Sequence, residues 1–484
     1  MSTRTWDEVD ISPDGVVARA GKPEFGDKRL NERFVASMKF QVEAPDHSYP
    51  EIFGEGQYLE GYYRWARNEK VTMQRAIKPQ FTRTVQRCED LAEFYVIHDT
   101  TDFVFGGETR REGMGRVNAK DQGFLAHVSL ALKADGTREP VGLLDTQVWT
   151  RRPEEGPDPY DVEPMWTDFE ENEADKWGLG VDHVKGRLDE EQSRAIHVMD
   201  SGADNYDLWA DLVESDCRFA IRCCQTQRRL VATKDHAAPT IADAVERAEP
   251  VSDRTVWLNP RGQKGRPTSQ LQKHPPREAR HADLEIRTNT VEIKRPARGD
   301  QQLPETLELH LVVALESGPP EGEEPVEWIL VTTEAVDSAS QAESIVEAYQ
   351  ARWTIEELNK AIKTGCSYED RQLESSHALL NAFAMTVPIA VELLRVRTLC
   401  HYAPELRAGR VLSDVQQHIL ADNRRTSYEI GSSVEEALVA IAQLGGFLTH
   451  NEKPGWLTMM RGMKRLHTLE SGYQLAAQHT TSNE

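Results

Sequence analysis

The sequence predicts an α/β core with helical segments on both sides of it. Three observations predict this class. Residues 1–90 carry apolar side chains at helical spacing. From residue 93 the period changes to that of strands, and strand-like runs recur as late as residues 326–334. From about residue 338 onward the helical period returns.

The elements follow in order. "GDKRLNERFVASMKFQ" (26–41) and "YLEGYYRWARNEKVTMQRAIKPQFTRTVQRC" (58–88) are amphipathic helices. "EFYVIHDTTDFVF" (93–105) is β-branched and aromatic, hence a strand. "GFLAHVSLALKADGTREPVGLLDTQVWT" (123–150) reads as two strands joined through Asp135-Gly136, a hairpin signal. "RAIHVMDSGADNYDLWADLVES" (194–215) reads as a buried strand, a turn and a helix, with Asp204 as a plausible N-cap. "RFAIRCC" (218–224) is a further short strand. Residues 225–305 are Pro-rich, polar and basic, with short strand-like pieces such as "DLEIRT" and "TVEIKR", and read as an insertion. Strands return at "LELHLVVALES" (307–317) and "VEWILVTTE" (326–334).

Composition narrows the function. At 484 residues the chain can bury more than one core, so two or three domains are expected. The most apolar stretch, "ALLNAFAMTVPIAVELLRVR" (378–397), contains Asn381, Pro388 and Glu392 and reads as a packed helix rather than a membrane span. The N-terminal residues lack an apolar h-region, so no secretory signal is expected. The six cysteines form no CxxC pair, which suits a reducing cytoplasm and suggests neither a zinc site nor a disulfide framework. A net charge of −23 argues against indiscriminate nucleic-acid binding. The charge is uneven, however. Segment 154–191 holds fourteen acids against three bases, and segment 261–298 ten bases against four acids. The basic segment is either a solvated loop or a local nucleic-acid contact.

Two acids end apolar runs: Asp99 in "YVIHD" and Asp200 in "AIHVMD". A buried strand delivers the next polar residue to the rim of a sheet, where clefts form; taken singly, such an aspartate is more often a turn or cap residue. The third acid is in "YQARWTIEELNKAIKTG" (349–365). On a helix, Tyr349, Arg352, Glu356, Lys360 and Lys363 fall within an arc of about 80°, and Ala351, Ile355, Leu358 and Ile362 face the other way. One account of that polar face is exposed pairing, Arg352–Glu356 and Glu356–Lys360, at about 0.2–0.5 kcal/mol per pair. The other is a site in which three carboxylates repel unless cations join them, and hard cations such as Mg²⁺ take oxygen ligands.

Together, "VIHDTTDFVF", "VMDSGAD" and "YQARWTIEELNKAIKTG" resemble the three acid blocks of a DDE transposase. Tyr349, Arg352, Glu356 and Lys363 resemble the Y-R-E-K signature of the insertion-sequence-four family of bacterial cut-and-paste transposases. "FGDKRLNERF" (25–34) and "YYRWARN" (62–68) are similar to the family's end-binding region, "EWILVTTEAVDS" (327–338) to the strand before its catalytic helix, and "LGGFL" (444–448) and "KPGWLTMMRGMKRL" (453–466) to its C-terminal region. The chain departs from the family at His98, at Ser201-Gly202, where Arg-Glu is usual, and at Met460 and Met463, where tryptophans are common.

The resemblance implies a ribonuclease-H-like mixed-sheet catalytic core with a β-rich insertion, flanked by helical domains. The implied domains are 1–88 for transposon-end binding, 89–375 for catalysis with its insertion at about 225–325, and 376–484 for dimerisation. It implies Asp99, Asp200 and Glu356 as catalytic metal ligands for two Mg²⁺ ions per site, with Mn²⁺ able to substitute. Tyr349, Arg352, Lys360, Lys363 and Arg222 would contact DNA. Trp328 would stack on a flipped base, although spacing alone makes it a core residue opening a strand. The implied partners are double-stranded DNA (terminal inverted repeats and target) and a second copy of the chain in a synaptic complex, with no membrane. The implied place is the bacterial cytoplasm, at the nucleoid when DNA-bound. Two other readings share these residues: a catalytically silent DNA-binding or inhibitory derivative, and a structure-specific nuclease on the same fold.

Overall fold

The computed structural model describes residues 11–106, 111–118, 121–151, 173–232, 238–258, 261–262, 271, 275–449 and 454–481. Half of the acidic segment (154–172), and Lys264, Arg266 and Lys273 of the basic one, lie outside the described residues. The chain divides into two compact units: residues 1–191 with 353–484, and residues 192–352.

The first unit opens with five helices, α1 (Pro13–Ala20), α2 (Lys28–Glu43), α3 (Tyr49–Phe53), α4 (Gln57–Ala66) and α5 (Met73–Cys88). Ser12, Asp27 and Thr72 cap three of them by accepting backbone N–H bonds in the first turn. Phe25, ahead of α2, Phe34 of α2 and Tyr62 and Trp65 of α4 form a buried aromatic cluster. Three antiparallel strands follow, β1 (Phe94–Val104), β2 (Gly123–Lys133) and β3 (Pro140–Trp149), with β2 in the middle. The expected hairpin joins β2 to β3: Asp135 accepts from the Thr137 N–H, and Gly136 supplies the positive φ of 82°. Helix α6 (Lys176–Leu188) packs on β2 and β3.

The second unit begins with β4 (Ala195–Met199), then α7 (Tyr206–Glu214), β5 (Arg218–Arg222), α8 (Ile241–Glu246), β6 (Glu249–Leu258), β7 (Arg280–Lys294), β8 (Thr306–Glu316), β9 (Glu327–Thr332) and α9 (Ala339–Ala351). Its strands run β4-β5-β9-β8-β7-β6, with β4 and β5 parallel and the other pairs antiparallel. Two sequence expectations are corrected here. "DLEIRT" and the first five residues of "TVEIKR" are parts of one fifteen-residue strand, β7, paired on both sides. Asn289 is unfavourable in a strand, but its amide donates to the Ala244 carbonyl at 2.9 Å, so it does not interrupt the ladder. And α7 is capped by Asn205, which accepts from the Asp207 N–H; Asp204 is engaged elsewhere.

The first unit resumes with α10 (Trp353–Lys360), a π-helical turn at Ala361–Gly365, α11 (Ser376–Tyr402), α12 (Asp414–Asp422), α13 (Val434–Leu444) and α14 (Trp456–Thr481). Residues 349–365 are therefore not one regular helix: α9 ends at Ala351, and the π turn follows α10. Helix α11 is long and apolar enough to cross a membrane, but its apolar window is wholly buried in protein, as the sequence reading expects. Pro388 is accommodated within it. Asn381 donates to the Ala66 and Val71 carbonyls, and Glu392 pairs with Arg19 and Arg395.

The "LGGFL" and "RGMKRL" motifs have a packing explanation. A Cβ on Gly462 would lie 1.8 Å from the Ile441 carbonyl oxygen, and one on Gly445 would lie 2.0 Å from that of Thr458. The two glycines let the backbones of α13 and α14 touch. Gly462→Ala is expected to force these helices apart and cost about 1–3 kcal/mol, read as a lower urea midpoint. An unchanged midpoint would show that the contact yields freely.

Candidate active site and DNA-contact residues

In the first unit, β1 buries Phe94 to His98 and brings Asp99 out half-exposed. The neighbours of Asp99 are tied to β2. His98 Nδ1 lies 3.0 Å from Ser129 Oγ, and Thr100 Oγ1 lies 2.9 Å from His127 Nδ1. His127 is fully buried, edge-on to Trp177 at 4.8 Å. Burial, with Lys176 nearby, pushes its imidazole down to about 3, so the ring stays neutral near pH 7.

Helix α10 packs against β1 in this unit. It buries Ile355 and Leu358 and exposes Glu356 on its first turn. Lys360 pairs with Glu357 at 2.7 Å, so the expected Glu356–Lys360 pair is replaced by one from the next residue. Glu357 is also reached by Arg397 and by the Trp456 indole N–H, each at 3.2 Å. Although burial opposes ionisation, Lys360, Arg397 and Trp456 hold its carboxyl below the ordinary value. The π turn then places Lys363 Nζ 3.0 Å from Asp102 Oδ1, over the Phe103 ring and 3.9 Å from Glu369. Sequence reasoning did not single out Asp102; its signal was its position three residues after Asp99 in the same block.

In the second unit, Asp200 and Arg222 follow Met199 and Ile221, which are partners in the parallel β4–β5 pair, so both residues are at the carboxyl end of adjacent strands. Asp200 Oδ1 accepts from the Gly202 N–H at 2.7 Å, and Arg222 donates to the Glu327 carbonyl at 3.3 Å. Trp328, Tyr349 and Arg352 form one cluster. The Trp328 ring meets Tyr349 edge-on at 5.5 Å, and the Arg352 guanidinium lies over Tyr349 at 5.9 Å. Trp328 is 5% exposed and Tyr349 2%, surroundings of core residues rather than of a stacking platform open to solvent.

Among the described residues, no three His, Cys, Asp or Glu side chains are grouped as a metal site. The donor chemistry of Asp99, Asp200 and Glu356 still suits a hard cation, since it is oxygen alone.

Residues 18–71 match the transposase DNA-binding family, and residues 181–389 match the transposase DDE domain family. The two matches support a DDE transposase. The DNA-binding domain spans α2 to α4 and the end of α1. The DDE domain holds Asp200 and Glu356, whereas Asp99 precedes the matched span. The structure around these matched stretches is a mixed α/β fold with helical ends.

Proposed function

We propose that this DNA-binding transposase is a cut-and-paste enzyme of the insertion-sequence-four type. The observation that carries the reading is the order of its parts. A DNA-binding domain precedes acid-ended strands, and these precede a Tyr-Arg-Glu-Lys set at steps of three, four and seven. Asp99, Asp200 and Glu356 are the residues that would hold Mg²⁺ or Mn²⁺. Such ions, when bound, supply charge neutralisation at a phosphodiester and a more acidic attacking water. Arg222, Arg352, Lys360 and Lys363 would neutralise phosphates, Arg by a fork and Lys as a point charge. A water nicks the element's end, and the freed 3′-hydroxyl attacks the opposite strand to close a hairpin. A second water opens the hairpin, and the new 3′-hydroxyl joins target DNA. Trp328, if released from Tyr349, would support an extruded base at the hairpin tip, where stacking returns roughly 1–3 kcal/mol. A second copy is supported by Leu469 and Tyr473, exposed one turn apart on α14. The place of action is the cytoplasm, at the nucleoid.

The test uses DNA from the flanks of the gene, with Mg²⁺, in single-turnover gels that resolve nicked, hairpin and joined products. Hairpins followed by joining are expected. Nicks without hairpins would leave a nuclease, and binding without any cut would leave a silent derivative.

The Lys363–Asp102 pair adds an expected result. DNA must compete with Asp102 for this ammonium, so Asp102→Asn is expected to tighten DNA binding about two- to fivefold. The slope of log K against log salt should steepen if Lys363 then neutralises one more phosphate, by up to about 0.9. Identical slopes and affinities would show that Lys363 does not meet DNA.

A further inference from the structure

We propose that Asp204 is a positioning residue for Asp200, its buried carboxylate locking the turn that presents Asp200 beside Arg222. The proposal rests on the reading of Asp200 as an active-site acid.

The side chain of Asp204 is 0% exposed. A buried carboxylate is costly unless donors fill its lone pairs, and here four do. The backbone N–H groups of Cys224 and Gln225 reach one oxygen at 2.6 and 2.7 Å. Arg228 reaches the other with Nε at 3.1 Å and Nη2 at 2.8 Å. The main chain joins in, because the Asp204 carbonyl accepts from Gln225 Nε2 at 2.8 Å and Arg228 Nη2 at 2.7 Å. The Arg228 guanidinium lies over Trp209 at 4.7 Å, and the Trp209 indole N–H donates to the Ala203 carbonyl at 3.2 Å. Residues 203 and 204 are thus held from two sides.

Asp200 is at the other end of this one short turn. The Ala203 N–H donates to the Asp200 carbonyl at 3.1 Å, and the Gly202 N–H donates to its carboxylate at 2.7 Å. Between them, Ser201 and Gly202 have small or no side chains to anchor the turn. The loop that Asp204 clamps begins directly after Arg222. Capping of α7 does not account for Asp204, since Asn205 already does that work. What remains for the buried charge is to fix the Asp200 turn against the Arg222 loop.

The test uses the full chain. Asp204→Asn keeps the shape but turns an amide group toward at least one donor. Mn²⁺ binding is read by electron paramagnetic resonance, and cleavage of end DNA is followed across a Mg²⁺ titration. The expected result is roughly tenfold or greater loss of Mn²⁺ affinity with a matching rise in the Mg²⁺ needed for cleavage, while metal-free DNA binding is retained. Arg228→Lys keeps the charge but loses the fork; it should shift both readouts the same way by less, and it decides the matter if Asp204→Asn fails to fold. Wild-type Mn²⁺ affinity and Mg²⁺ dependence in the folded variant overturns the proposal. Asp200→Asn is run beside them. If it too binds Mn²⁺ and cuts normally, or if the wild type holds no Mn²⁺, the reading of Asp200 has failed. If it alone loses both, only the positioning role has.

Discussion

Glu356→Gln, Asp99→Asn and Asp200→Asn are each expected to lower Mg²⁺-dependent cleavage of end DNA by about a thousandfold or more, leaving end binding within about threefold. Loss of one preorganised electrostatic partner typically costs 10²–10³ in rate, and residues acting as a unit lose most of their effect when any one is removed. A thousandfold corresponds to about 4 kcal/mol of transition-state stabilisation. The amide variants separate this from stability. Glu356 is exposed on its helix, so glutamine there should move unfolding by no more than about 0.5 kcal/mol. Asparagine at 200 retains an oxygen for the Gly202 N–H, which alanine would abandon at about 1 kcal/mol. Whichever variant cuts at the wild-type rate has no part in the active site. Loss of end binding in parallel would point to a structural role.

The second large effect concerns stability. Arg395, 2% exposed, pairs with Glu139 and, at 2.9 Å, with Glu392. Glu392 also takes Arg19 at 2.7 Å, and Glu139 takes Lys133 at 2.8 Å and Arg410 at 3.2 Å. Arg395→Met leaves two buried carboxylates short of their shared cation and is expected to cost about 3–5 kcal/mol.

The same network sets an acid limit. Burial alone would raise the Glu139 carboxyl, but Arg395, Lys133 and Arg410 bring it down to about 2 from 4.5. A depressed folded value means the stabilisation is present above the unfolded value and lost as pH falls through the folded one. The window is therefore about pH 4.5 down to 2, and the total is on the order of 3 kcal/mol at 1.36 kcal/mol per unit. Urea midpoints across that window should fall in the wild type and fall less in Glu139→Gln. Equal slopes would show that Glu139 is not the group titrating.

The sequence by itself determined the passage from helices to strands and back to helices outside residues 225–305, the β2–β3 hairpin, the burial of the apolar helix and the place of each acid along the chain. Apolar period, capping residues and turn chemistry act over a few neighbours, so they can be read locally. The partners of the polar side chains could not be read that way. Asp204 reads as a cap because that role needs only the next two or three residues; its actual partners lie twenty to twenty-four residues ahead. Lys363 reads as a free cation, yet Asp102 is 261 residues away in sequence, and Arg395 meets Glu139 across 256. Spacing alone makes Trp328 a core residue, and only the fold shows that the ring it packs against is that of Tyr349, twenty-one residues on. Tertiary structure decided these cases because a charge or ring takes whichever partner the packed backbone brings within a few ångströms, and sequence separation does not enter that energy.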